Sequence, residues 1–225
     1  MTDYRIGPMP LQLPAALIRK LEQVETATVG HSRHWGFMDR GIQPLLRAKR
    51  IAGTAVTLAI PGPDSTLLHH ALGLLRPGDI LVVDRLGDQR HACWGGAVTI
   101  GAKAAGAVAG IVDGPCTDHL EIEQSDFPVW CRGLAPITTR LYNLGGILNG
   151  LISCGGVAVQ PGDAILADES GVLVLPAVEA DAVADAALAR QARGEQSQNR
   201  VAKGEKLGDL SGASTMVLDA LRAAK

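Results

Sequence analysis

The 225-residue sequence predicts an α/β layered fold in which βαβ units are mixed with a β-meander. Three observations predict it. From Gly78 to Asp118 the chain runs through an apolar strand, a polar loop, a Gly/Ala-rich helix, a second apolar strand and a loop ending in an acid, the order expected of neighbouring parallel strands. From Gly155 to Pro176, short apolar runs are separated by PGD and DESG, which are turn signals. Aromatic residues make up only 3% while glycine reaches 27 residues, so the core must be Val, Ile, Leu and Ala packed closely against backbone. A meander follows the βαβ units, so a regular doubly wound sheet is not expected, and GxGxxG is absent, so a dinucleotide fingerprint fails.

The elements follow in order. Leu11 to Val24 has apolar residues at helical spacing (Leu13, Leu17, Ile18, Leu21, Val24) and should form an amphipathic helix. Gly30, Gly36 and Gly41 then interrupt any long element. Gly53 to Ile60 is a β-rich run closed by PGPD. Asp64 or Ser65 can cap a helix reaching Leu75, whose apolar side is Leu67, Leu68, Ala71, Leu72 and Leu75. His69 and His70 lie about 100° apart on that helix and cannot both face one ligand, so each is expected in the core or at its boundary. Asp79 to Asp84 is the next strand, a helix follows to about Ala105, and Phe127 to Gly133 offers another short strand. After the meander, Ala177 to Arg193 reads as an Ala-rich helix and residues 194–214 as a polar arm, with a last helix over 215–224. The whole chain is expected to be one domain, 1–225, with its core over about 53–176 and a C-terminal arm over about 194–225.

Composition narrows the function. A formal net charge of -2 leaves no basic footprint, so no nucleic-acid partner is expected. No apolar run of about 18 residues is present and no secretory pattern opens the chain, so no membrane association is expected and a cytoplasmic location is. Cys93, Cys116, Cys131 and Cys154 never form CxxC and read as reduced, mostly buried thiols. GxxxxGK[ST] and GxSxG are absent, which removes P-loop and serine-hydrolase chemistry.

Two loops carry chemical potential, both at the carboxyl ends of strands. Cys93-Trp94-Gly95-Gly96-Ala97-Val98 leads into a helix, whose first amides lack internal partners and whose dipole is positive at that end. The glycines let an anion approach the amides of Gly95 to Val98. In Asp113-Gly114-Pro115-Cys116-Thr117-Asp118, Asp113 or Asp118 can bind a hard divalent cation, or else open a turn and cap the next helix. Two further groupings stand beside these. His91, Cys93, Cys116 and His119 could make a zinc site, though at unusual spacing. Arg33 beside His31 and His34 could meet an anion.

GDILVVDRLGD, WGGAVTIGAKAAG, GIVDGPCTD, FPVWCRG and CGGVAVQPGDAILADESGVLVLP, in this order, resemble the RraA-like family of ribonuclease E regulators and 4-hydroxy-4-methyl-2-oxoglutarate aldolases. The likeness spans roughly Gly53 to Pro176. It implies a swivelling β/β/α fold assembled as a homotrimer or a hexamer, with sites between subunits. It also implies a lyase acting on a 2-oxo acid through a divalent metal, magnesium or alternatively manganese, held by Asp118. The substrate carboxylate would rest on the amides of Gly95, Gly96, Ala97 and Val98. The aldolase-type motif places Arg directly before the metal-binding Asp, where this chain has Thr117, and an acidic residue is common where it has Gly96. Arg85, Arg90, Arg132 and Arg140 are candidates to replace the missing cation, with Arg85 first because its loop leads into the amide loop. Glu195, in the arm, matches a carboxylate that relatives supply across the subunit boundary. The resemblance also allows a non-catalytic interaction protein, or a different metal-dependent reaction on a related acid.

Overall fold

The computed structural model describes residues 3–46 and 49–224. Its elements in chain order are β1 (Tyr4–Ile6), α1 (Ala15–Leu21), α2 (Thr26–Gly30), β2 (Gln43–Pro44), β3 (Ile51–Ala59), α3 (Thr66–Leu72), β4 (Asp79–Asp84), α4 (Gly96–Ala104), β5 (Ala109–Val112), α5 (His119–Gln124) and β6 (Val129–Cys131). Then come β7 (Gly146–Leu148), β8 (Ile152–Cys154), β9 (Val157–Val159), β10 (Ala164–Asp168), β11 (Gly171–Leu175), α6 (Ala177–Ala202), α7 (Leu207–Leu210) and α8 (Ala213–Ala223). The mixed α/β architecture expected from the sequence is present.

Parallel pairing of β3, β4, β5 and β6 forms the centre of the larger sheet, with Thr54 opposite Asp79, Ile80 opposite Ala109 and Gly110 opposite Val129. These strands are buried almost throughout, which is why they read as continuous apolar runs. The long β3 is shared on its other edge. Its first half pairs antiparallel with β10 and its end with β7. β8 and β9 form a separate two-stranded sheet, so the expected three-strand meander is in fact two hairpins. One core lies under α3, α4 and α5, centred on Leu58, Leu68, Val83, Trp94 and Ile122. The other lies on the opposite face, centred on Ile80, Ile111, Trp130 and Ile165.

Three expectations change. The N-terminal helix expected over Leu11 to Val24 is shorter, α1, and a separate short helix, α2, follows it in the glycine-interrupted stretch. Both His69 and His70 are exposed. α6 does not stop at Arg193 but runs on through the polar stretch to Ala202, because Glu, Gln and Arg sustain a helix well and Gly194 alone does not end it. The chain divides into two compact units, Met1–Ala184 and Asp185–Lys225. The second holds the rest of α6 together with α7 and α8.

Candidate functional site

The two loops singled out in the sequence are stitched together by the backbone. The Thr117 amide donates to the Trp94 carbonyl at 2.8 Å, beside a bridge between Trp94 and Cys116. Trp94 is fully buried, stacks on Phe127 with centroids 6.1 Å apart, and donates from Nε1 to Thr99 Oγ1 at 2.9 Å. A Cβ on Gly110 would stand 2.6 Å from the Trp94 ring, so that glycine clears the space for the anchor.

Asp118 begins α5 in the left-handed region, φ 53°, a conformation that Asp tolerates better than most residues. It does not cap its own helix. Its Oδ2 instead accepts the Gly96 amide at 3.0 Å, and Thr117 Oγ1 donates to its Oδ1 at 3.1 Å. A Cβ at Gly95 would stand 2.4 Å from that Oδ2, so glycine is what allows the carboxylate to reach the start of α4. The Gly96 amide is therefore spent on Asp118. Among the described residues, no acceptor meets the amides of Ala97 and Val98.

These groups line one cleft of about 200 Å³. One side is formed by Ala92, Cys93, Gly95, Ala97, Val98, Thr117 and Asp118; Ser65, His69 and residues 138–141, including Arg140, supply the remainder. That second segment is fastened tightly. Ala92 exchanges backbone hydrogen bonds with Ile137 and Thr139, and the Arg140 amide donates to the Pro63 carbonyl at 2.9 Å. The buried Asp64 carboxylate accepts from the Thr66 amide and hydroxyl and from the amides of Tyr142 and Leu144. Burial alone would raise its pKa, but these donors, Thr66 foremost, hold it down to about 2.

The four candidate cations are placed very differently. Arg85 is fully buried, with its Nη2 donating to the carbonyls of Gly62 and His91, and it does not line the cleft. Its Nε and Nη1 have no hydrogen-bond partner among the described residues. Arg90 is exposed and is also absent from the cleft. Arg132 is committed to Asp39 and Asp113. Arg140 lies in the cleft, exposed, and its side chain has no ion pair among the described residues. Asp113 accepts from Arg132 and from the Gly155 amide at 2.7 Å, so it is occupied structurally.

The zinc grouping does not assemble. Among the described residues no three or more His, Cys, Asp or Glu are placed to hold a metal. His91 Nδ1 is instead 2.8 Å from Asp88, and Cys93 and Cys116 are buried. All four cysteines are free and buried, as the sequence suggested. Arg33 is paired with Glu179 at 2.6 Å and lies over the Trp35 ring; with His34 it lines a separate hollow. Sequence reasoning missed His69 and Asp64 as parts of the site's surroundings. The Asp64-Ser65-Thr66 helix-start pattern pointed to a cap, but not to the distant segment that Asp64 also holds.

The family model described as RraA-like, Aldolase/RraA, matches residues 26–174. The chain belongs to this family. It is 33% identical over 160 residues, 71% of this chain and 76% of the relative, to a protein of Halalkalibacterium halodurans named "Putative 4-hydroxy-4-methyl-2-oxoglutarate aldolase". RraAS2 of Streptomyces coelicolor, described as an unusual member of the RNase ES inhibitor RraA protein family, superposes with a TM-score of 0.76 at 28% identity, covering 84% of this chain and 99% of that one. The RNA-processing inhibitor RraA from Thermus thermophilis gives 0.58 at 27% identity, over 62% and 84%. Membership thus spans proteins named as aldolases and proteins named as inhibitors. No helix among the described residues is long and apolar enough to cross a membrane.

Proposed function

We propose that this protein is a divalent-metal-dependent carbon–carbon lyase acting on a 2-oxo acid. The observation that carries the reading is the cleft itself, where the Asp118 carboxylate, the unpaired amides of Ala97 and Val98, and Arg140 converge. The donor set fits a hard cation. A single carboxylate at the edge of a cleft suits magnesium, or manganese, which take oxygen ligands, keep several waters and are held through one or two carboxylates. Gly95, where a Cβ would meet Asp118 Oδ2, is what lets that carboxylate lie at the edge of the cleft. Asp118 would hold the ion, which when bound polarises the 2-oxo group as a Lewis acid.

The chain's own groups do the rest. The amides of Ala97 and Val98, at the positive end of α4, receive the 1-carboxylate. Thr117 and the Gly96 amide keep the Asp118 carboxylate turned toward the cleft. Arg140 takes the place of the arginine missing at position 117 and faces the negative charge that develops when the carbon–carbon bond breaks. The subunits assemble as a homotrimer or a pair of trimers, and Glu195 belongs to the arm that reaches a neighbouring subunit.

The test is pyruvate release from 4-hydroxy-4-methyl-2-oxoglutarate or oxaloacetate, with magnesium or manganese, above the metal-only rate. Asp118→Asn should abolish it while leaving the fold intact, because Asn accepts the left-handed backbone and retains an oxygen for the Gly96 amide. Unchanged turnover in that variant would remove Asp118 as the metal ligand. A second reading, a non-catalytic interaction protein, is favoured by Thr117 standing where the aldolases have arginine. Absence of turnover on either substrate, with a ribonuclease captured from solution, would decide for it.

A further inference from the structure

We propose that His69 is the proton-transfer residue of this cleft, taking the proton from the substrate's 4-hydroxyl and returning it to the new methyl carbon. The inference rests on the lyase reading above. α3 turns Leu67, Leu68 and Ala71 into the core, which leaves His69 on the exposed side. The His69 amide donates to the Ser65 carbonyl at 3.0 Å, and these two residues, one helical turn apart, both line the cleft. His70, about 100° further round, does not. Among the described residues the His69 imidazole has no hydrogen-bond or ion-pair partner, so nothing in the fold employs it.

Elimination strengthens the assignment. Retro-aldol cleavage needs a group that accepts a hydroxyl proton near neutral pH. The Cys93 thiol is buried, which pushes its pKa up to about 11. A guanidinium does not give up its proton in proteins, which removes Arg140 as a base. The Asp118 carboxylate is turned to the Gly96 amide and the Thr117 hydroxyl and is assigned to the metal. The remaining polar side chains of the cleft are hydroxyls. Imidazole is the one side chain there whose ordinary chemistry exchanges a proton near neutrality.

The step balances. His69 accepts the proton of the 4-hydroxyl, the C4–O bond becomes a carbonyl, and the C3–C4 bond breaks with its electron pair passing to C3 and the adjoining 2-oxo group. The imidazolium then returns that proton to C3, so 4-hydroxy-4-methyl-2-oxoglutarate yields two pyruvates with no net proton change. Oxaloacetate loses carbon dioxide without any proton being taken from a hydroxyl.

That contrast supplies the experiment. In the full-length protein with magnesium, His69→Gln should lower aldol cleavage by about a hundredfold or more, the usual share of a general base, and lower decarboxylation by at most about tenfold. Added imidazole should restore part of the cleavage. A structural role would depress both reactions alike, and equal loss or no loss would overturn the assignment. A protein that decarboxylates oxaloacetate but never cleaves the hydroxy acid would also overturn it while leaving the lyase reading standing. Turnover of neither substrate would overturn both. Independently of turnover, oxalate with magnesium should shift the imidazole C2 proton resonance that His69→Gln deletes, and an unmoved resonance would count against contact with the ligand.

Discussion

At Thr117 a single side chain sets what the proposed site has to supply from elsewhere. Its hydroxyl steadies Asp118 but brings no positive charge. On the proposed lyase reading the charge comes from elsewhere, and the sequence pointed first to Arg85 because its loop runs into the amide loop. Arg85 lies buried, whereas Arg140, more than 40 residues beyond Gly95, reaches the cleft through pairings that no local pattern announces. Arg140→Gln should therefore lower kcat/KM for pyruvate release by about a hundredfold, the scale of losing one donor aimed at developing charge. Adding Thr117→Arg in that background should recover much of the loss by restoring the cation beside Asp118. Steady-state kinetics on the two variants checks both, and wild-type kinetics in Arg140→Gln would show that this cation takes no part.

The element that delivers Arg140 depends on Asp64. Four donors converge on that buried carboxylate, from the start of α3 and from residues 142 and 144, so one side chain ties α3 to the segment that carries Arg140. Its folded pKa of about 2 lies below the ordinary 3.8, so its stabilisation is complete above the unfolded value and is lost as pH falls toward 2. A depression of that size is worth about 2 kcal/mol. Denaturant unfolding from pH 5 to pH 2 should show Asp64→Asn less stable than wild type at the upper end, with the gap closing toward the lower. A gap that does not change with pH would mean the carboxylate's charge contributes nothing. The central strands were legible because burial on both faces writes them as apolar runs, and β4 occupies the residues read for it, Asp79–Asp84. What was not legible was long-range: β10 pairing with β3, β8 and β9 leaving the main sheet, and Asp64 reaching across to residue 144. Such pairings depend on side chains meeting in space, which periodicity does not encode.

At the scale of the whole molecule, the segment beside the cleft bears on the proposed assembly. Leu134, Leu141, Tyr142 and Leu144 are each about half exposed or more, in a stretch otherwise pinned by Asp64 and Ala92. Large apolar side chains grouped on a fixed surface segment are what a subunit contact covers. The proposed homotrimer would bury this segment and place a neighbouring subunit next to the cleft, which would link assembly to catalysis. Leu144→Glu tests that link. Leu144 is 51% exposed, so the substitution is tolerated by the isolated chain, whereas burying its charge without a partner would cost an interface several kcal/mol. Light scattering should give three or six times 23.4 kDa for the wild type and a mass near 23.4 kDa for the variant. Lyase activity should fall with the mass if the neighbour completes the site. A wild type that stays at 23.4 kDa at tens of micromolar would refute the assembly, and a variant that dissociates yet keeps full activity would show that each chain carries a complete site of its own.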